Sequence, residues 1–325
     1  MKTLYPVKFT PILKDKIWGG SKLQSIFNKE SNTGKLGESW ELSGYNGDVS
    51  IVTNGEYTGK SLTELIDILN EDLVGEHVFE QFGNTFPLLF KLIDANDYLS
   101  IQVHPDDEVA LERHNSFGKT EMWYVIDADE GGELIIGFKK DCTKEEYLKA
   151  LESGELENLL HRVKVGKGDV FFIPAGLVHA IGKGVVLAEI QQTSDLTYRI
   201  YDYKRVDESG KERQLHTEEA LDVIDFSAIS DPKTVYSSSI NEVETLVSCE
   251  YFTTNIVRFN EQIVRNYGQV DSFVVYMCME GEFDIMCDGT NTKVLKGETV
   301  LIPAKIENVE LLPHESTTLL EVYVS

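Results

Sequence analysis

Residues 166–182 read GKGDVFFIPAGLVHAIG, and the placing of glycines, one proline and one histidine in this apolar run decides the fold. Val170, Phe171, Phe172 and Ile173 have the composition of a buried strand. Pro174 cannot donate to a strand ladder and Gly176 loosens the backbone, so Pro174 to Gly176 is a turn. The chain then re-enters a strand that carries His179. Written as a spacing, the stretch is Gly168, five residues, Pro174, one residue, Gly176, two residues, His179. A single histidine is more often a satisfied core residue than a ligand, so a site requires partners from elsewhere in the chain.

The composition narrows what those partners serve. The chain has 325 residues, enough for two ordinary domains or one large one, and is 42% apolar and 26% charged. Its formal charge is −25 and no basic run interrupts it, which argues against nucleic acid or an anionic membrane surface as partner. The opening MKTLYPVKFTPILKDKIWGG lacks the apolar core of a signal peptide and no later stretch has the length of a membrane span, so a cytoplasmic location is expected. Cys142, Cys249, Cys278 and Cys287 show no CxxC spacing and read as reduced thiols.

Upstream of the opening stretch, residues 1 to 60 are short strand-like pieces, including KLGESWELS. Ser61 caps a helix, because SLTELIDIL places Glu64 at the capping-box position with Leu62, Leu65, Ile66 and Leu69 on one face. A second helix is expected over Glu76 to Phe82. FPLLFKLIDA and YLSIQVHP then read as strands; Pro105 ends the latter, and Asp106 or Asp107 caps a short helix through Arg113. EMWYVIDA and GELIIGF are expected to form a hairpin around Asp129 to Gly132. Residues 143 to 160 read as a helical insertion, and residues 204 to 245 as a polar connector with a short helix near Thr217 to Ile224.

The remainder is strand again and contains an echo. In KGETVLIPAKIENV, Gly297, five residues and Pro303 repeat Gly168, five residues and Pro174, and GEFDI at Gly281 matches GELII at Gly132. The two pieces lie closer together in the second copy, by about the length of the helical insertion. Carried through, the alignment sets Asn308 where His179 stands and Lys305 where Gly176 stands. The second copy keeps the strands and loses the histidine, which marks it as scaffold or lid. Two domains follow: 1–240, catalytic, and 241–325, a degenerate copy without metal.

Gly-x5-Pro-x-Gly-x2-His resembles the second motif of the cupin superfamily, antiparallel double-sheet barrels that hold a metal inside. The resemblance implies a mainly β fold of two jelly-roll barrels with a small helical portion. It also implies further ligands from an earlier strand and the hairpin after it, where Gln102 and His104 in IQVHP and Glu121 in GKTEMWYV stand. Residues i and i+2 of a strand face the same way, so Gln102 and His104 can both point inward. Two imidazoles, one carboxylate and one amide oxygen would leave a position open, as catalytic zinc requires. His77, His114, His161, His216 and His314 read as structural or solvent-facing.

A closer resemblance rests on FKLIDANDYLSIQVHPDD, GKTEMWYV, IPAGLVHAIG and EIQQTSDLTYRIYDY, which together are similar to the type I mannose-6-phosphate isomerases in their short bacterial form. It spans roughly residues 15 to 205. It implies one zinc ion per chain bound by Gln102, His104, Glu121 and His179, and interconversion of mannose 6-phosphate and fructose 6-phosphate through an enediol. Lys91, Lys119 and Arg199 fall on positions that carry active-site cations in that family. Longer members have an extra helical domain, for which there is no room here. They also have a histidine before the lysine of the Lys-x-Glu motif, where this chain has Gly118, so a proton-transfer role for that histidine does not carry over.

Moving a carbonyl between C1 and C2 requires removing a proton beside it and holding the enediol that results. A base must lie within hydrogen-bond reach of that proton. Lys91 and Lys119 are the candidates, because a nearby cation and partial burial both lower a lysine pKa. Arg199, inside the strand LTYRIYDY, is costly to bury unless it meets an anion, and is expected to hold phosphate or the enediolate in preference to pairing with Asp195 or Asp202. Zinc, Glu121, Lys91, Lys119 and Arg199 together give a locally positive pocket, of about +4, for a phosphate of roughly −2. Trp18, Glu38 and Trp40 are candidates for lining it. The competing readings are a cupin oxygenase using iron and a non-catalytic sugar-binding cupin.

Overall fold

The structure, a computed structural model, describes residues 4–206, 210–237 and 239–324. Parts of the expected connector, residues 207–209 and 238, therefore lie outside the described residues. The protein is mainly β. In the first unit one sheet runs in the order Val170–Ile173, Glu121–Ala128, Val185–Gln192, Leu88–Ala95, Leu36–Tyr45, Ile12–Gly20, and a five-stranded sheet faces it. The order in the second sheet is Leu160–Lys164, Glu133–Phe138, His179–Ile181, Ile101–Val103, Tyr198–Tyr201. The ladders between these strands are antiparallel.

Alternation along each strand decides what lies between the sheets. Ile93, Trp123, Val125 and Leu187 from the first sheet meet Leu134, Ile136 and Ile181 from the second in one buried cluster. The outer face of the larger sheet is also apolar. Phe90, Leu92, Met122, Ala188 and Ile190 pack with Leu62, Leu65, Ile66 and Leu69 of the helix Leu62–Leu69, and with Ile256, Val275, Met277 and Leu320 of the second unit. Burial on both faces explains the near-continuous apolar runs FPLLFKLIDA and GVVLAEI. Lys91 and Asp94 break the first run and Glu189 the second.

The second unit repeats the plan, with a seven-stranded sheet facing a four-stranded one around Val257, Phe259, Tyr276, Phe283 and Ile285. Two of the seven strands, Val7–Thr10 and Ile51–Val52, come from the start of the chain; Val7 pairs with Leu301 and Phe9 with Val52. Nothing in the sequence pattern announces this exchange, because edge pairing leaves no periodicity of its own.

Local expectations hold where short-range chemistry decides them. Ser61 and Glu64 form the reciprocal capping box of Leu62–Leu69, the helix Glu76–Phe82 is present, and Asp106 caps Asp107–His114 through Val109. The expected hairpin at Asp129 to Gly132 is corrected: Glu121–Ala128 pairs with Val170–Ile173 and Val185–Gln192, whereas Glu133–Phe138 pairs with Leu160–Lys164 and His179–Ile181. The turn there carries the chain from one sheet to the other. A tight turn between alternating strands looks the same in sequence whether the strands pair or part. His161, just past the expected helical insertion, lies on the strand Leu160–Lys164.

Register makes the internal echo concrete. Ile173 lies opposite Glu121, and Ile302, its counterpart before the proline, lies opposite Val274. Glu189 lies opposite Trp123 and Lys91; in the second unit Glu321 lies opposite Tyr276 and Asn255. Val274 thus replaces Glu121, whereas the buried carboxylate of Glu189 persists as Glu321. Asn308, aligned with His179, is exposed and accepts from the Asn266 amide. Glu321 is fully buried and accepts from Asn255, from both Arg265 nitrogens at 2.7 and 2.8 Å, and from the Tyr267 hydroxyl at 2.5 Å. Removing one partner of such a network strands the others. Glu321→Gln is expected to cost about 3 kcal/mol in urea unfolding, the lower end for a buried pair because Arg265 retains some solvent contact.

Candidate metal centre

The turn that opened the reading holds two parts of the site in place. Gly176 has φ +86°, and a Cβ there would meet the Val223 carbonyl at 2.8 Å, so the turn requires glycine. Its N–H donates to the carbonyl of His104 at 2.9 Å. His179 begins the next strand directly opposite Gln102, which in turn lies opposite Arg199. Directly opposed residues of adjacent strands share a face, so His179, Gln102 and Arg199 form one row that points between the sheets. Glu121 looks back from the facing sheet.

The lone pairs of these groups converge. His104 Nδ1–H donates to the Leu196 carbonyl at 2.7 Å and His179 Nδ1–H to the Leu177 carbonyl at 2.8 Å. A carbonyl can only accept, so both rings carry their proton on Nδ1 and present a bare Nε2 inward. The two Nε2 atoms lie 3.1 Å apart, and Glu121 approaches them at 3.5 Å from His179 and 3.6 Å from His104. Both Glu121 oxygens are buried without a hydrogen-bond partner. Bonds of about 2.0–2.1 Å at tetrahedral angles give ligand–ligand edges of about 3.3 Å. The observed spacings straddle that value, and two neutral imidazoles with a carboxylate are the donor set such an ion takes. Among the described residues His104, Glu121 and His179 are the group able to hold a metal ion.

Electrostatics agree with the geometry. Burial drives the His179 imidazole down to about 4, and drives His104 well below the usual histidine value, helped by the Lys119 and His179 charges. Burial, with Glu189 adding like-charge repulsion, pushes Glu121 up to about 7 against the opposing pull of Lys119 and Lys91. Three acceptors held dry and close together cost free energy until a cation meets them.

Beside this group is a cleft of about 250 Å³ lined in part by Lys91, Gln102, Lys119 and Arg199, so the structure gathers these expected residues into one place. The Lys119 ammonium is 3.2 Å from Glu121. The Lys91 ammonium donates to Glu189 at 3.0 Å and lies 5.1 Å from the Trp40 ring centre. Burial would lower its pKa, but the Glu189 and Glu38 charges outweigh this and raise it. That is opposite to the direction a lysine base needs. Arg199 pairs with neither Asp195 nor Asp202: Asp202 is taken by Arg205 and Arg213, and the Arg199 Nε is buried without a partner. His216 brackets its backbone, accepting from Arg199 N–H and donating to its carbonyl. Trp18 and Glu38 line the cleft, while Trp40 is fully buried.

Three charged lining residues are not marked as site residues by the sequence. Glu189, held at about 2 by Lys91 and Lys119 against the penalty of burial, also accepts from Trp123 Nε1 at 2.9 Å. A charged residue inside GVVLAEIQQ was a visible signal for it. Lys16 lies among the strand-like pieces of residues 1–60 and Arg213 in the polar connector, and nothing local marks either. Gly118 has a physical reason, since a Cβ there would lie 2.6 Å from the backbone of Asp106 and Asp107. A histidine at this position could not fit without displacing the start of the helix.

Facing antiparallel sheets with a histidine–carboxylate group between them define a cupin-type metal centre. Residues 7–145 match the model of the catalytic domain of type I phosphomannose isomerase, and residues 242–318 that of the cupin domain of mannose-6-phosphate isomerase. The chain is 39% identical over 305 residues to mannose-6-phosphate isomerase ManA of Bacillus subtilis, a match covering 93% of this chain and 94% of that protein. It is 38% identical over 298 residues to the mannose-6-phosphate isomerase of Streptococcus mutans, 90% of each. The crystal structure of the mannose 6-phosphate isomerase from Bacillus subtilis shares the fold with a TM-score of 0.86 at 34% identity, over 98% of this chain and 99% of that one. The chain belongs to the type I mannose-6-phosphate isomerase family.

If His104, Glu121 and His179 hold the ion together, losing one should weaken binding beyond the roughly 10–100-fold that a supporting residue costs. His179→Ala, dialysed against a graded chelator series, is expected to give up its metal at more than about a hundredfold lower chelator strength than the parent, with an unchanged far-UV spectrum.

Proposed function

We propose that the chain interconverts mannose 6-phosphate and fructose 6-phosphate through an enediol, with one zinc ion held by Gln102, His104, Glu121 and His179. The observation that carries this reading is the convergence of two bare Nε2 atoms and two unpartnered Glu121 oxygens beside a cleft lined by Lys91, Lys119 and Arg199. Gln102 has its amide nitrogen 3.3 Å from His179 Nε2, and a half-turn of the amide would present its oxygen to the same point. When bound, zinc polarises a sugar oxygen and offsets negative charge that develops on it.

The protein's own groups divide the remaining tasks. Lys119, beside Glu121, is the residue placed to move a proton next to the metal group. Lys91 is kept charged by Glu189 and serves as a binding cation. Arg199, with an unpartnered Nε in the row of Gln102 and His179, binds the phosphate or steadies the enediolate. Residues 1–240 supply the catalytic cupin unit and 241–325 a cupin unit without metal, which borrows the strands Val7–Thr10 and Ile51–Val52 from the first stretch; each is a jelly-roll barrel in this reading. Four free cysteines suit a reducing, cytoplasmic setting, and among the described residues no helix is long and apolar enough to cross a membrane.

Conversion of mannose 6-phosphate to fructose 6-phosphate is expected to stop on chelation and to return with added zinc. Iron as the native metal, or turnover that survives metal removal, would sink the assignment. Arg199→Ala is expected to lower kcat/KM about 10²–10³-fold, the usual cost of deleting one charge-stabilising donor. A loss below about threefold would return Arg199 to a structural role.

A further inference from the structure

We infer that Tyr251, from the second unit, positions Lys119 through the carboxylate of Asp107. This inference rests on the role given above to Lys119. Tyr251 sits in the turn between Glu242–Ser248 and Thr253–Phe259, closed by the Cys249 N–H to the Phe252 carbonyl at 3.0 Å, with Phe252 fully buried. Its hydroxyl crosses to the first unit and donates to Asp107 Oδ2 at 2.8 Å.

Asp107 is a hub. Its other oxygen accepts from the Gly118 N–H at 2.7 Å and from the Gln192 amide at 3.0 Å. Gln192 Oε1 accepts from the Thr120 N–H at 2.8 Å, and the Lys119 N–H donates to the Pro105 carbonyl at 3.1 Å. The backbone donors of Gly118, Lys119 and Thr120 are therefore all taken by acceptors near the start of one helix. Gly118 lies against the backbone of Asp106 and Asp107, so this segment tracks the helix start closely.

Gly118, Lys119 and Thr120 are buried, whereas the acceptors that hold them border open space: a cavity of about 460 Å³ is walled by Phe117, Asp107, Gln192 and Tyr251 among others. The setting of the segment therefore depends on how firmly those acceptors are fixed. Tyr251 fixes the Asp107 carboxylate, which would otherwise turn about its own bond and release Gly118 and Gln192. The Lys119 ammonium, 3.2 Å from Glu121, would then lose its setting. Misplacement of a reacting group by about 1 Å can cost on the order of 10²-fold in rate. Tyr251 does not line the cleft that holds Lys91, Gln102 and Arg199, so its influence belongs in kcat.

The test is a double-mutant cycle on the metal-loaded protein with mannose 6-phosphate as substrate. Tyr251→Phe is expected to lower kcat about tenfold with KM within twofold and with metal content and melting temperature unchanged. Lys119→Met should lower kcat much further, and the double variant should be no slower than Lys119→Met alone. If the double variant instead loses the product of the two single effects, Tyr251 acts independently of Lys119 and the inference falls. It falls equally if Tyr251→Phe leaves kcat unchanged. Asp107→Asn, which keeps the side-chain size but sets an amide among donors, should reproduce the kcat loss and its dependence on Lys119. It decides the matter if Tyr251→Phe melts below the assay temperature. Full turnover by Lys119→Met overturns the role given to Lys119, and this inference with it; loss in Lys119→Met without loss in the other two overturns only the inference.

Discussion

Two neutral imidazoles and a carboxylate that aim their lone pairs at one dry point are the constraint around which the first unit is built. In water each acceptor would find a donor; between the two sheets the Glu121 carboxylate has only the Lys119 ammonium, 3.2 Å from one of its oxygens, beside it. The fold tolerates this because every other polar atom of the two histidines is committed. Each Nδ1–H is spent on a backbone carbonyl, which fixes the tautomer and aims Nε2 inward. The Leu177 carbonyl belongs to the same short stretch as Gly176, whose N–H braces His104. One tight turn thus orients two imidazoles from different strands, which is why its glycine and proline carry so much of the pattern.

The second unit shows what the same plan becomes without that constraint. At the register of Glu121 it has Val274, and the residue aligned with His179 has turned to the surface as Asn308. The carboxylate of Glu189 persists as Glu321, now closed off by Arg265, Asn255 and Tyr267. A buried carboxylate opposite an aromatic residue therefore does not depend on the metal. In the first unit the same position holds a lysine and an indole N–H, and the lysine faces an open cleft; in the second it is sealed. Among the described residues, the second unit has neither the counterparts of Glu121 and His179 nor an exposed face at Glu321.

Legibility followed the range of the interaction that decides each feature. Capping boxes, the proline-ended strand and the Gly-Pro-Gly-His spacing are fixed within a few residues, and the sequence displayed them. The expected ligands and cations were reached through the resemblance of IQVHP, GKTEMWYV and LTYRIYDY to a known family; periodicity by itself marks only Lys91 between Phe90 and Leu92, Gln102 between Ile101 and Val103, and Arg199 between Tyr198 and Ile200 as polar breaks in apolar strands. Glu189 interrupts one too, but a carboxylate that neutralises a neighbour looks no different in sequence from one on a surface. The parting of the strands at Asp129 to Gly132 and the loan of Val7–Thr10 to the second unit are long-range choices. Periodicity reports which face is buried and is silent on which strand lies beside it.

The structure also changes the electrostatic argument for an anionic substrate. Counting only the expected residues, the pocket seemed strongly positive. Glu189 offsets Lys91, Glu38 pairs with Lys16 at 3.1 Å, Asp202 holds Arg213 at 2.5 Å, and Asp195 also lines the cleft. With Glu121 beside Lys119, the five cations of the lining are matched by five carboxylates. In a protein of net charge −25 such a cleft offers a phosphate monoester no attraction of its own. A divalent ion at His104, Glu121 and His179 tips the balance to about +2, the complement of a phosphate at about −1.5 to −2. On the function proposed above the anion's field depends on that ion, and Arg199 is the cleft cation without an acidic partner. On the same proposal, this pairing ties binding of the phosphate, as well as the chemistry, to the bound ion.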